Sequence, residues 1–272
     1  MLQDKMKVGI IGCGTIGSKL AGIIEKEIVE MEICALCDVL EDRTLKLSKE
    51  FSRDIQIMSI ENLIDKMDMV IEAASSNISA EIVQKSLEKG KKVLALSVGG
   101  LIKDFIEYKK LARSEGGKLY IPSGAIAGID GLKAISASKI EYVTLTTKKP
   151  IKGIKDAPFI KRNNIDLDSI KTDTLIFSGR VEEAVEEFPK NINVAASLVL
   201  SGIDSSLITV RIVTSPHFTC NTHEIKAKGE FGQITCVCEN LPDPDNPRTS
   251  FLAILSAGAV LKQIVNPIKI GT

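Results

Sequence analysis

The chain of 272 residues contains no tryptophan, and aromatic residues make up only 4% of it. A base-stacking platform for single-stranded nucleic acid needs rings in number, so that class has no support here. Charge of one sign is also missing in excess: 35 Lys and Arg stand against 35 Asp and Glu. This removes the electrostatic case for nucleic acid or an anionic membrane surface. No apolar run reaches the length of a membrane span. The opening Met1-Leu-Gln-Asp-Lys5 leads into the first strand with no room for a signal peptide, so a cytoplasmic protein is expected. Six cysteines are scattered through apolar runs. Cys34 and Cys37 form a C-x-x-C, but on a predicted strand, where their side chains point to opposite faces. Cys236 and Cys238 share one face of another strand, and no second ligand pair stands at zinc spacing. The expectation is buried thiols in a reducing compartment, with no metal.

Hydrophobic residues make up 44% of the chain, enough for a packed core of one large or two moderate domains. The most informative segment comes first. Lys7 to Ile11 reads as a strand, followed at once by Gly12, Cys13, Gly14, Thr15, Ile16 and Gly17 and a helix over Ser18 to Ile28. Met31 to Leu36 is a second strand, ending near Asp38. This is G-x-G-x-x-G between strand and helix, with an acid after the next strand. Gly12 suits the tight turn, Gly14 the approach of a pyrophosphate, and Gly17 close helix packing. The helix N-terminus attracts phosphate, Thr15 and Ile16 in the loop before it are candidate cofactor contacts, and Asp38 accepts from ribose hydroxyls. A carboxylate there repels a 2′-phosphate, so NAD is expected ahead of NADP; Arg43 is close enough to relax that preference.

Strands and helices go on alternating: strands over 69–74, 92–98 and from Leu119, helices over 79–89 and 103–115. That pattern predicts an α/β fold, a Rossmann-type doubly wound parallel sheet. The strands end in small-residue loops, Ala73-Ala74-Ser75-Ser76, Ser97-Val98-Gly99-Gly100 and Ser123-Gly124-Ala125. Ligands of such sheets bind at the carboxyl ends of the strands, which makes Ala74 and Ser75 candidate cofactor contacts. The pattern becomes β-rich after about residue 137, with strands over 142–147, 207–214, 223–228 and 234–239 and helices over 181–188 and 192–200. A second α+β domain with a mixed or antiparallel sheet is expected. Residues 241–247 read as a proline-rich loop, and 249–264 as a helix packing back on the first domain. The expected division is 1–137 for the dinucleotide-binding domain, 138–246 for the substrate domain and 247–272 for the returning helix.

Only two histidines are present, His217 and His223. Histidine is the natural acid–base group near neutral pH. His223 lies beside Asn221 and Thr222, which suit orienting the ring or binding substrate; His217 reads as structural. Glu182, Glu183, Glu186 and Glu187 read as a solvated helix face. Asn191 and Asn193 stand open between capping a helix and meeting a cofactor or substrate. Lys133, Lys139, Lys161, Arg162, Arg211 and Arg248 are all open candidates for pairing with substrate carboxylates.

Taken together, Ser123-Gly-Ala-Ile-Ala-Gly128, Pro189-x-Asn-x-Asn-Val-Ala-Ala196 and Asn221-x-His-Glu-Ile225, in this order behind the glycine loop, resemble the L-aspartate dehydrogenase family along essentially the whole chain. The resemblance implies interconversion of L-aspartate with iminoaspartate, or oxaloacetate plus ammonia, using NAD or NADP, and a supply of iminoaspartate for NAD biosynthesis. It implies His223 as the active-site residue, with Ala125 and Asn193 as cofactor contacts. Ser215-Pro216 stands where family members commonly carry Asp-Pro. A symmetric dimer is expected, covering an open sheet face of the second domain. Two rivals remain at this point. One is another two-domain nicotinamide reductase, of the dihydrodipicolinate reductase, homoserine dehydrogenase or sugar oxidoreductase type. The other is a non-catalytic NAD-responsive sensor, for which the polar group around His223 has no use.

Overall fold

A computed structural model describes residues 4–189 and 192–271, and in it the chain forms two compact units. The first runs to Pro122 and takes in Ala253–Lys269. Its strands are β1 (Met6–Ile11), β2 (Met31–Cys37), β3 (Gln56–Ile57), β4 (Met69–Glu72), β5 (Lys92–Ala95) and β6 (Lys118–Tyr120). Helices α1 (Thr15–Glu27), α2 (Glu41–Ser48), α3 (Ile60–Lys66), α4 (Ser76–Glu88) and α5 (Phe105–Ser114) connect them. All strand pairs are parallel, in the order β3-β2-β1-β4-β5-β6. The strand order reverses between β1 and β4, the position where doubly wound sheets open a crevice for a dinucleotide. Val8, Ile10, Ile33, Leu36, Met69, Ile71 and Leu94 are fully buried, as continuous apolar strands covered by helices on both faces must be.

Two helices start earlier than the periodicity suggests. α1 begins at Thr15 rather than Ser18, and α4 at Ser76 rather than Ser79. In both, the first turn holds a single isoleucine, Ile16 or Ile78, among small and polar residues, too little to set an apolar period. The short α2 and α3 went unread for a similar reason, since each buries only two residues, Thr44 and Leu47 in one and Leu63 and Ile64 in the other.

The second unit begins at Ser123, fifteen residues before the expected boundary at 137/138. The intervening helix α6 (Ile129–Ile135) belongs to it, because Leu132 and Ile135 are buried in the second core. The unit continues through β7 (Ile140–Pro150), α7 (Pro158–Arg162), β8 (Thr174–Gly179), α8 (Val181–Glu187), α9 (Ile192–Leu200), β9 (Ile208–Ser215), β10 (Asn221–Gly229) and β11 (Gly232–Asn240). The five long strands form one mixed sheet, ordered β11-β10-β7-β9-β8, in which β7 and β9 run parallel and the other pairs antiparallel. Phe159, Phe177 and Phe188 meet with ring centroids 5.4–5.7 Å apart in its core, with Phe177 edge-on to both of the others, a favourable arrangement of aromatic rings.

The proline-rich stretch is not a plain loop. It folds as a small hairpin of β12 (Pro242–Asp243) and β13 (Asn246–Ser250). Asp243 accepts backbone N–H groups of Asp245 and Asn246 at the turn, the local carboxylate-to-backbone bonding that makes Asp a turn residue. The last helix, α10, therefore starts at Phe251 and runs to Val265. Its Ile254, Ala257 and Leu261 join the core of the first unit.

Candidate active site

In the first unit the glycine loop has the shape its sequence requires. Gly12 has φ +100°, and a Cβ there would collide with the Ala73 carbonyl after β4, so no other residue fits without strain. A Cβ on Gly17 would run into the Gly12 carbonyl, which lets α1 lie tight against the strand. A Cβ on Gly14 would meet only the Arg43 guanidinium, at 3.9 Å, leaving open space in front of the loop. α1 has no acidic residue in its first turn and no side-chain cap, so the positive end of its dipole faces that space. These features fit a dinucleotide pyrophosphate.

Asp38 sits just past β2 and is nearly buried. It accepts the Cys13 N–H at 2.7 Å and the Leu40 N–H at 2.9 Å, so it braces the loop it is expected to serve. Arg43 lies 3.9 Å from it, half exposed. The Cys13 thiol inside the loop is pushed up to about 12 by burial and by the neighbouring Asp38 charge, which leaves it protonated and unreactive. Ala74 and Ser75 follow β4 directly, with Ser75 at the N-cap of α4.

In the second unit the chemistry gathers around His223, in the third position of β10. It is buried, facing the core side of the sheet with Ile225 and Ala227. Its Nδ1 is 3.0 Å from Thr147 Oγ1 across the strand pair. Burial, together with the positive charge of Lys149, pushes its pKa down to about 4, so the ring is neutral at physiological pH. Lys149 is two residues beyond Thr147 on the same face of β7. A narrow apolar pocket lined by Leu145, Thr147, Val185, Phe188 and Ile212 lies against this face.

The same strands hold the Ser123–Gly128 loop. Asn240, buried at the end of β11, donates to the Ala125 carbonyl at 2.9 Å and accepts from Ser250 Oγ at 2.8 Å. The Ala127 N–H meets Cys238 Sγ at 3.1 Å, and Cys238 is the cross-strand neighbour of His223. Asn221 pairs with Asn240 in register and shares the His223 face. Thr222 does not: strand alternation puts it on the opposite face, beside Lys148 and Glu239.

The other candidates scatter. Asn193 lies exposed in the first turn of α9, where its carbonyl accepts from Ser197 Oγ. Asn191 and the side chain of Arg248 lie outside the described residues. Arg162 pairs with Glu187, and Glu187 is buried rather than part of a solvated face. Arg211 points away from the His223 face, because β9 buries Val210 and Ile212 instead. Lys133, Lys139 and Lys161 are exposed. His217 is exposed, and its N–H donates to Ser215 Oγ, so Ser215 serves the turn after β9. Thr147, Lys149 and Asn240 escaped the sequence reading because only the strand register brings them to His223.

Among the described residues no helix is long and apolar enough to cross a membrane. Residues 130–264 match the family described as aspartate dehydrogenase, C-terminal, and residues 12–122 match the NAD-binding domain of homoserine dehydrogenase. The second match covers only the cofactor half, which many dehydrogenases share. L-aspartate dehydrogenase of Methanosarcina barkeri is 43% identical over 98% of this chain and 100% of its own length. That of Nitrosopumilus maritimus is 36% identical over 98% and 99%. The crystal structure of aspartate dehydrogenase from Thermotoga maritima superposes with a TM-score of 0.74, at 26% identity, over 98% of this chain and 99% of that one. The similarity spans both units, and the chain belongs to the L-aspartate dehydrogenase family.

Proposed function

We propose that this protein oxidises L-aspartate to iminoaspartate, which hydrolyses to oxaloacetate and ammonia, and catalyses the reverse reductive amination. The observation that carries this reading, beside the family, is a buried neutral imidazole held by one hydroxyl with a cation on the same sheet face. Bound NAD(P) supplies the hydride acceptor at the substrate Cα, and Gly12, Gly14, Thr15, Ile16, Gly17, Asp38, Ala74 and Ser75 are the residues proposed to hold it, and the family resemblance adds Ala125 and Asn193 as proposed contacts. NAD is favoured over NADP by the Asp38 carboxylate.

His223 works through Nε2, since Nδ1 is engaged by Thr147. A neutral ring accepts the proton that leaves the substrate ammonium; once that proton has passed on to solvent, the same nitrogen takes one from the water that attacks the imine. Lys149 is suited to hold a substrate carboxylate. A carboxylate docked there offsets the charge that depresses His223, so substrate binding raises the basicity of its own proton acceptor. Asn221 shares this face and is placed to orient the substrate. Thr222 acts from the other side of the strand and is proposed only to fix β10.

The wider setting is proposed in the same terms: a cytoplasmic enzyme supplying iminoaspartate to NAD biosynthesis, assembled as a homodimer. Tyr142, Leu175 and Val237 are 43%, 48% and 55% exposed on the sheet face away from the core, a face that a second copy would cover. Light scattering of the native protein and of Val237→Arg tests this, with a shift to monomer expected in the variant. The activity is tested by a panel: aspartate, glutamate, alanine and malate with NAD, and oxaloacetate plus ammonia with NADH. Turnover of aspartate well above the rest is expected; a preference for malate would overturn the reading.

A further inference from the structure

β4 reads Met-Val-Ile-Glu, and all four residues are buried. A carboxylate in the middle of a parallel sheet is costly unless its oxygens are fully bonded. Glu72 is fully buried and meets four donors. Its Oε1 accepts the Ala74 N–H at 2.9 Å. Its Oε2 accepts Ser79 Oγ at 2.9 Å and the N–H groups of Leu96 and Ser97 at 3.1 and 3.0 Å. Burial pushes the carboxyl up, and the four bonds offset that only in part, so its pKa stays above the ordinary value. Three of those partners are backbone N–H groups, which can only donate, so both side-chain oxygens are used as acceptors.

The four donors come from three places: the loop after β4, the first turns of α4, and the loop after β5. Ser97 Oγ adds a bond to the Ala74 carbonyl at 3.1 Å. One side chain thus stitches together the two small-residue loops at the carboxyl ends of β4 and β5. These lie beyond the switch point of the sheet, in the half opposite Asp38. Doubly wound sheets seat one mononucleotide on each half, with the acid after β2 on the adenosine side.

We infer that Glu72 is a positioning residue for the nicotinamide half of the cofactor, setting the shape of the Ala73–Ser76 and Ser97–Gly100 loops. The inference rests on the cofactor placement proposed above. A glutamine here has one acceptor oxygen where two are needed, and its NH2 would face an N–H donor.

The test compares NADH with ADP-ribose, which lacks the nicotinamide, by titration calorimetry on the native protein, Glu72→Gln and Ser79→Ala. For Glu72→Gln, NADH affinity is expected to fall about tenfold or more, with ADP-ribose held within about twofold. Ser79→Ala removes one of the four bonds and is expected to show the same selective loss at about threefold. It carries the test if Glu72→Gln does not fold. Equal loss of both ligands would mean a general structural role, and unchanged NADH affinity would mean none; either overturns the inference. Because no amino acid is present, the result is independent of whether aspartate is the substrate.

Discussion

The two units satisfy their buried ionisable groups to different degrees. In the parallel sheet, Glu72 meets four hydrogen-bond donors, which offset part of the cost of its burial. In the mixed sheet, His223 receives one hydroxyl and an adjacent cation, and is driven neutral. The first arrangement uses both carboxyl oxygens to hold backbone in place, and the second leaves a ring nitrogen available for proton transfer. The difference follows the kind of site each unit offers. The dinucleotide half is made of loop backbone and a helix end, so its demand is for shape. The chemical half is made of side chains on strands, so its demand is for a group poised to change protonation.

If that division is right, it can be broken by two substitutions. His223→Ala should cut turnover of aspartate by roughly 10²–10⁴-fold while leaving the NADH dissociation constant close to native. Gly14→Val should do the reverse: its side chain fills open space rather than colliding with the fold, so the protein should remain folded and lose NADH affinity, by about a hundredfold. Near-normal turnover in the histidine variant would remove His223 from the chemistry. Parallel losses of affinity in both variants would erase the distinction between the units.

A finer test uses pH. The His223 pKa, about 4 in the fold against an ordinary value of 6.5, means that the unfolded chain takes up a proton that the folded chain refuses. Stability is therefore unaffected above about pH 6.5 and falls between there and about pH 4, by roughly 3 kcal/mol in total. Urea titrations at pH 7 and pH 4.5 should show this loss in the native protein and a smaller one in His223→Gln. The acid limb of kcat/KM, which reports the free enzyme, should lie below that of kcat, which reports the substrate complex. Lys149→Met should bring the two limbs closer by raising the first, and should raise the KM for aspartate by about tenfold. An unchanged KM would take Lys149 out of carboxylate binding.

The two halves also differed in how well they could be read beforehand. The glycine loop was legible because each glycine answers a backbone demand local in sequence: Gly12, Gly14 and Gly17 stand within six residues of one another. Glu72 is hidden inside an apolar strand, although a lone acid at the end of a buried run, immediately before a small-residue loop, is the kind of exception that signals a network. In the second unit His223 stood out by scarcity and company. Its partners did not, since Thr147 lies on another strand and reaches it only through the β7–β10 register. Register also separates Asn221 from its neighbour Thr222, which adjacency in sequence had joined. β8, with its irregular pairing to β9 between Leu175 and Phe177, showed no alternation to find.

The smallest expected effect lies at the edge of the cofactor half, where shape and charge overlap. Arg43 stands 3.9 Å from Asp38, with its side chain 52% exposed. Against NAD it has little to do, because the ribose hydroxyls are expected to meet the carboxylate. Against NADP it supplies a nearby positive charge that the 2′-phosphate needs to offset Asp38. Arg43→Ala should therefore lower kcat/KM with NADP by about tenfold and leave NAD within about twofold. The native protein should already favour NAD at matched concentrations. Equal losses with both cofactors would show that Arg43 acts by steadying Asp38, which itself braces the glycine loop through Cys13. In that case specificity and loop shape would be one property of this half rather than two.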